Sequence, residues 1–244
     1  MVWRQARWLP LILCKRSSLH AVGAPYALMW SGGKDSALVP ASGGQRGHGG
    51  RAAAQLLRRG HGLGPVSRDA GRDAPGPGGR RWNRATGVGT TGAEMEERLL
   101  LELDRLKREG FAGVVLGDIH LTDVRAWYEE RVTAAGLQHV EPLWGCPPLE
   151  LVREFVDTGG RAVITCVNLS RLDASWLGRI VDRRFLEEIS ATGVDPCGEN
   201  GEYHSFAFQG PVFARSVPWQ AGVTRSEPGF EQLDVLPAEL TRSI

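Results

Sequence analysis

The chain has 244 residues, enough length for a sizeable core, and its formal net charge of +1 hides a basic segment, because residues 40–93 carry nine arginines and two acids. Those arginines alone do not predict a nucleic-acid partner. The four cysteines of the chain lie far apart and form no C-x-x-C pair, which argues against a zinc ribbon and predicts a reduced, cytoplasmic protein. No apolar run approaches the roughly 20 residues of a membrane-spanning helix.

Residues 1–25 precede the first predicted element and carry basic residues but no acid. The apolar run at residues 8–14 lies at the lower limit of a signal-peptide core, and two basic residues end it. We therefore interpret residues 1–25 as an N-terminal extension of a cytoplasmic protein rather than as a secretory signal.

An apolar strand over residues 26–30 leads into a polar loop that opens a helix, formed by Ser31, Gly32, Gly33, Lys34, Asp35 and Ser36. Consecutive glycines let backbone N–H groups turn toward an anion, and a helix N-terminus adds partial positive charge. Lys34 can neutralise phosphate charge, and Asp35 can hold a magnesium ion. Walker A spacing is absent, so transfer of a γ-phosphate is not expected. The loop predicts a pyrophosphate site; the alternative is a turn without a ligand.

Residues 40–93 do not fit a regular fold, because they are rich in glycine and arginine and contain no Lys, Ile, Phe or Tyr. We expect them to be irregular, without a strand suited to a parallel sheet, and we expect Pro40 to stop the preceding helix. Two explanations stay open. The segment is either a disordered basic insertion or the product of a reading-frame slip in GC-rich coding sequence.

From Glu94 onward the pattern is regular again, with a helix predicted over residues 94–110 and a buried strand over residues 112–116. Gly117 and Asp118 follow that strand, at the edge where open α/β sheets bind ligands, although a helix cap is the alternative. Helices are predicted over residues 123–135 and 149–158. A buried strand follows over residues 161–167, with Cys166 as a small core residue.

Two later segments carry polar chemistry. Trp176 and Arg179 flank a glycine and suit an anionic or planar ligand, with an ordinary helix-start turn as the alternative. Glu199 and Glu202 lie three residues apart in a glycine-bearing loop, where a cation, an amine or a nucleotide hydroxyl would justify them unless the loop is simply solvated. We expect an edge strand at residues 205–208 and a loosely ordered tail at residues 214–244.

Five motifs occur in a fixed order along the chain: Ser-Gly-Gly-Lys-Asp-Ser at 31–36, Gly-Asp at 117–118, Pro-Leu-Trp-Gly at 142–145, Ser-Trp-Leu-Gly-Arg at 175–179 and Gly-Glu-Asn-Gly-Glu-Tyr at 198–203. Together they resemble the diphthine ammonia ligase family of PP-loop ATP pyrophosphatases. The resemblance implies an α/β fold, with a Rossmann-like (HUP-type) parallel sheet in residues 26–140 and a smaller α/β substrate domain in residues 141–213.

The resemblance also implies an activity, which is ATP-dependent amidation of diphthine, a modified histidine of elongation factor 2, with ammonium as the nitrogen donor. The products would be AMP and pyrophosphate, formed through an acyl-adenylate. If the source is neither archaeal nor eukaryotic, the acceptor would be a different carboxylate. An ATP-binding protein of the same fold without catalysis is the alternative. Neither a membrane nor a nucleic acid is an expected partner.

The resemblance assigns roles to residues of this chain. ATP would be bound by Ser31, Gly32, Gly33, Lys34, Asp35, Ser36, Gly117 and Asp118, with Mg²⁺ on Asp35. Catalysis would involve Lys34, Asp35, Glu199 and Glu202. The substrate would contact Trp176, Arg179, Glu199, Gly201 and Glu202.

Overall fold

The computed structural model describes residues 25–42, 53–55, 75–76, 80–81, 92–213 and 215–238. Its helices are α1 (Lys34–Ser42), α2 (Gly92–Arg108), α3 (Thr122–Ala134), α4 (Pro148–Asp157) and α5 (Arg183–Ser190), with a 3-10 turn at Ala174–Trp176. Its strands are β1 (Tyr26–Met29), β2 (Ala53–Gln55), β3 (Pro75–Gly76), β4 (Arg80–Arg81), β5 (Gly113–Val115), β6 (Gln138–Val140), β7 (Arg161–Asn168), β8 (Tyr203–Gln209), β9 (Trp219–Glu227) and β10 (Phe230–Pro237).

The first sheet is parallel, with strand order β2-β1-β5-β6. Successive residues of a strand face opposite sides, so Ala27 and Val114 enter one core cluster while Leu28 and Val115 enter another. Helices cover both faces, as a buried parallel sheet requires. The α2 side is lined at helical spacing by Leu99, Leu103 and Leu106, which are at most 3% exposed.

The second sheet is antiparallel, with strand order β8-β7-β10-β9. Its central strand β7 is buried along six consecutive residues. One core cluster joins Leu28 and Leu38 of the first sheet layer to Phe155 of α4 and Phe185 of α5. The predicted α/β fold with a C-terminal domain is thereby confirmed, and so is the prediction that residues 205–208 lie on an edge strand, β8.

Two expectations about the start of the irregular segment need correction. Helix α1 does not stop at Pro40 but runs to Ser42, because the fixed φ of proline suits a helix and costs only its own hydrogen bond and local crowding. Within residues 40–93 the structure places a short strand, β2, which pairs in parallel with β1. Most of the remaining prediction for residues 40–93, and that for residues 1–24, falls outside the described residues.

The predicted loose tail is wrong for residues 219–237, which form the β9–β10 hairpin and complete the second sheet. The signal for this hairpin was the Pro228-Gly229 pair between two strand-forming runs. Gly229 has φ of +84°, the left-handed conformation that such a turn favours. In the described part of the chain, no helix has both the length and the apolar character needed to cross a bilayer.

We expect Phe185→Ala to lower the free energy of unfolding by about 3–5 kcal/mol, because it removes a fully buried ring and leaves a cavity. Phe185 is 1% exposed and packs edge to face against both Trp176 and Tyr203. Urea unfolding measures the change. Leu101→Ala is the matched control, since Leu101 is 64% exposed and its loss should cost less than about 0.5 kcal/mol. Equal losses in the two variants would contradict the described core.

Candidate functional site

The loop between β1 and α1 is held in shape by its own side chains. Ser31 Oγ accepts a hydrogen bond from Gly33 N at 3.2 Å and lies 3.1 Å from Ser36 Oγ, which donates to Gly33 O at 2.9 Å. Gly32 has φ of +85°, and no heavy atom beyond its chain neighbours lies within 4 Å of the position a Cβ would take. The loop therefore has a left-handed turn with open space above it, as close approach of a ligand to the backbone requires.

The first turn of α1 adds donors to this loop. The first intrahelical hydrogen bond runs from Ala37 N to Gly33 O, so the N–H groups of Asp35 and Ser36 precede the helix ladder. A helix N-terminus attracts anions through such N–H groups and through its dipole. The arrangement suits a phosphate group, as the sequence predicts for residues 31–36.

Gly117 brings the end of β5 against this same turn. A Cβ at Gly117 would lie 3.2 Å from Ser36 N and 3.3 Å from the carbonyl carbon of Asp35, so a side chain there would push the first turn of α1 away by a few tenths of an ångström. Asp118 follows at the carboxyl edge of the parallel sheet. The structure thus brings Gly117 and Asp118 beside the loop, and their role in binding ATP stays a prediction.

Lys34 faces the C-terminal domain. Its ammonium is 2% exposed and donates to Asp35 Oδ2 at 2.7 Å and to the Cys197 carbonyl oxygen at 2.5 Å. It also lies 5.2 Å from the centre of the Tyr203 ring. Burial alone would lower the pKa of Lys34, but Asp35 and the other surrounding groups outweigh burial and raise that pKa well above its usual value. Lys34 is therefore a charged, internally bonded residue.

The loop from Asp195 to Tyr203, called here the carboxylate loop, is closed by its own contacts. Glu202 is 3% exposed, and its Oε1 accepts from Asp195 N at 3.3 Å and from Asn200 Nδ2 at 3.4 Å. The Tyr203 hydroxyl donates to Pro196 O at 2.6 Å. Glu202 Oε2 and Asp195 Oδ2 are buried without a hydrogen-bond donor, although His120 Nε2 lies 3.4 Å from that Asp195 oxygen. Buried carboxylate oxygens in this state suit a cationic ligand.

Glu199 lies in the same negative region. Its burial, together with the charges of Asp35, Asp118 and Asp195, raises the pKa of Glu199 to about 7, while Lys34 opposes the rise. Its carboxyl group therefore exchanges a proton near neutral pH. The alternative of a simply solvated loop does not fit the structure, since Glu202 is buried and Glu199 is half-buried.

Trp176 and Arg179 make packing contacts. Trp176 is 6% exposed and lies edge-on to Phe185, with ring centroids 5.6 Å apart. The Arg179 guanidinium stacks 4.2 Å from the Trp176 ring centre and pairs with Glu188 of α5. These contacts account for both residues without a ligand, so their predicted role in substrate binding gains no support from the geometry.

Several residues of this site had no recognisable signal in the sequence. Ser205 Oγ accepts from Lys34 N at 3.3 Å, and Ala207 N donates to Gly32 O at 2.8 Å. His120 reaches Asp195 from the segment after β5. The alternation of β8 could have placed Ser205 and Ala207 on one face, but not against a loop more than 170 residues away.

Of the three cysteines that the structure describes, two fit the predicted reduced state and one does not. Cys166 and Cys197 are free and buried, and burial raises the pKa of Cys166 to about 11, which fits a core thiol. Cys146 is disulfide-bonded, a feature that the prediction of reduced thiols did not include. Within the described ranges, no group of three or more His, Cys, Asp or Glu residues is arranged to hold a metal ion.

Comparison with known proteins shows similarity over part of the chain. Residues 147–223 match the family described as the diphthamide synthase C-terminal domain. The chain is also 32% identical over 132 residues to the diphthine–ammonia ligase of Homo sapiens, across 52% of this chain and 49% of the human protein. Over the matched regions the chain is therefore similar to diphthine–ammonia ligases.

Two further relatives show the same degree of similarity. The diphthine–ammonia ligases of Bos taurus and Mus musculus are each 31% identical to this chain over 132 residues. The chain spans about half the length of the curated relatives it matches. The carboxylate loop lies inside the matched family domain, whereas the loop at residues 31–36 precedes it.

We expect Gly117→Ala to weaken binding of MgATP by about tenfold or more, since the added methyl group displaces the first turn of α1 and its N–H donors. Isothermal titration calorimetry with MgATP measures the effect. Gly159→Ala is the control, because Gly159 has φ of +86° and open space, so that variant should lose about 1 kcal/mol of stability but keep its MgATP affinity. Unchanged affinity in Gly117→Ala would contradict a nucleotide site at this turn.

We expect Glu199→Gln to stabilise the protein in a pH-dependent way. The pKa of Glu199 rises from 4.5 to about 7 on folding, so the folded state loses stability from Glu199 ionisation as the pH rises between those values. The gain in Tm from Glu199→Gln should be small at pH 5 and reach its full size above about pH 7. Thermal denaturation at pH 5 and pH 8.5 tests this. Glu187→Gln, at an exposed position of α5, is the control, and an equal gain there would contradict the assignment.

Proposed function

We propose that this protein is an ATP-dependent amide ligase that joins ammonia to a carboxylate and forms AMP and pyrophosphate. The observation that carries the proposal is the meeting of two loops of complementary chemistry. The loop at residues 31–36, with N–H donors and open space for phosphate, lies directly against the carboxylate loop. The bond from Lys34 to the Cys197 carbonyl oxygen joins them, and bonds from Lys34 N to Ser205 and from Ala207 to Gly32 join the first loop to β8, which follows the carboxylate loop.

The first loop would hold the β- and γ-phosphates of ATP. Gly32 provides open space for the phosphates, and the N–H groups of Asp35 and Ser36 provide neutral donors at a helix N-terminus. Magnesium fits this site through Asp35, whose carboxylate is 21% exposed, because Mg²⁺ in phosphoryl-transfer sites takes few protein carboxylates and completes its shell with phosphates and water. Such an ion supplies charge neutralisation on the departing pyrophosphate.

The carboxylate loop would receive the cationic reactant. Glu199, Glu202 and Asp195 place three carboxyl groups in one loop, two of them with a buried oxygen that has no hydrogen-bond donor. Ammonium or a primary amine on the acceptor would donate hydrogen bonds to those oxygens, and a quaternary ammonium group would neutralise their charge. Glu199, which titrates near neutral pH, would accept the proton that ammonium must lose before its nitrogen becomes a nucleophile.

The reaction would proceed in two displacements. The acceptor carboxylate attacks the α-phosphorus of ATP, and the bond to the β-phosphate breaks to release pyrophosphate. Ammonia then attacks the acyl carbon of the adenylate, AMP leaves with the bonding electrons, and one proton is released. The preorganised N–H groups of the first loop stabilise charge on the leaving pyrophosphate. We propose diphthine on elongation factor 2 as the acceptor, in keeping with the name of the relatives, and the cytoplasm as the compartment.

The alternative is ATP binding without catalysis. The composition of residues 40–93 favours it, because the strand β2 is only three residues long and the flanking sequence lacks the apolar residues of a regular αβα unit. This alternative predicts that the protein binds MgATP but releases no pyrophosphate. Calorimetric titration with MgATP and an assay of pyrophosphate release together detect it.

We expect Asp35→Asn to reduce pyrophosphate release by a factor of about 100 or more, because the variant loses the carboxylate that would hold magnesium. The assay supplies MgATP, ammonium chloride and elongation factor 2 bearing diphthine, and it follows AMP and pyrophosphate together. Asp104→Asn on the surface of α2 is the control and should keep full activity. Turnover in Asp35→Asn equal to that of the unmodified protein would sink the ligase proposal.

A further inference from the structure

The contacts of Lys34 point to a role that its position in the loop at residues 31–36, called here the phosphate loop, does not suggest. An ammonium group has three N–H donors. In Lys34 two of them reach Asp35 Oδ2 and the Cys197 carbonyl oxygen, and the ring of Tyr203 lies 5.2 Å from the nitrogen. Two of the three donors are therefore engaged by protein acceptors, and the side chain is 2% exposed. A buried ammonium held in this way is not presented to a phosphate on the open side of the loop.

We propose that Lys34 is a positioning residue that fixes the carboxylate loop on the phosphate loop, and that it is not a ligand of the phosphates. The inference rests on the proposed function only for the chemical roles of the two loops. Cys197 is two residues before Glu199 in the chain, so the bond from Lys34 to the Cys197 carbonyl sets where the Glu199 carboxyl group lies. The residue thereby links two parts of the site that are 163 positions apart in sequence.

The electrostatics of the site explain why a buried cation lies between the two loops. A triphosphate on the first loop and the carboxyl groups of Asp35, Asp195, Glu199 and Glu202 would repel one another at short range. A buried cation between the two loops offsets that repulsion more effectively than a solvated one, because the local dielectric constant is lower. A lysine on the solvent side of the phosphates would not screen the carboxylate loop in this way.

The first test uses the unmodified protein and measures acetylation of individual lysines by mass spectrometry. Lys107 is the internal control, because it is exposed on α2 while it also donates to a carbonyl oxygen, that of Gly136. Without nucleotide, Lys34 should react at least about tenfold more slowly than Lys107, and MgATP should change its rate little. Rapid acetylation of Lys34 that MgATP suppresses would identify a phosphate ligand and overturn the proposal.

The second test separates positioning from phosphate binding. In Lys34→Met the dissociation constant for MgATP should stay within about threefold, while hydrogen exchange at the amides of Cys197, Gly198 and Gly201 should accelerate about tenfold or more. Lys107→Met, which removes a comparable bond on the surface, should leave both unchanged. Loss of MgATP affinity with unchanged exchange in the carboxylate loop would refute the role.

Neither measurement requires turnover, so failure of the ligase proposal and failure of this inference are distinguishable. Slow acetylation of Lys34 in a protein that releases no pyrophosphate would support the positioning role of Lys34 and would contradict only the proposed ligase reaction. If Lys34→Met does not fold, the acetylation experiment on the unmodified protein decides alone.

Discussion

The contact between strand β8 and the loop that leads into α1 determines the rest of the site. It combines a backbone hydrogen bond from Ala207 to Gly32 with the hydroxyl of Ser205 at Lys34 N. Because of this contact, the parallel and antiparallel sheets share one core and cannot shift relative to each other without breaking the loop geometry. The open space at Gly32 and the buried carboxylates lie side by side as a result.

The site concentrates negative charge to an extent that stability alone would not select. Asp35, Asp118, Asp195 and Glu199 interact electrostatically, and two buried carboxylate oxygens lack a hydrogen-bond donor. Such arrangements cost free energy in the folded state and persist where a ligand compensates them. The rings of Trp176, Phe185 and Tyr203 pack edge to face next to this region, and their favourable contacts offset part of that free-energy cost.

The sequence was sufficient for features that depend on local pattern. The β1-loop-α1 unit, the helical spacing of Leu99, Leu103 and Leu106 and the buried strand β7 all follow from periodicity and glycine placement. The sequence was insufficient where contacts between distant segments determine the position of a side chain. The direction of the Lys34 side chain depends on a carbonyl 163 residues away, and the packing of Arg179 depends on Glu188. The β9–β10 hairpin was missed because prolines at its ends outweighed the alternation between them.

The order of the second sheet separates its two edges. Strand β8 contacts the phosphate loop, whereas β9 lies three strands away, about 14 Å at ordinary strand spacing. The β9–β10 turn at Pro228 and Gly229 lies closer to the site than β9 does, because Gly229 O accepts a hydrogen bond from Leu169 N, and the adjacent Asn168 N donates to Glu202 O of the carboxylate loop. For protein engineering, a fluorescent reporter at this turn would therefore be connected to the carboxylate loop through two backbone hydrogen bonds, and would respond to changes in that loop.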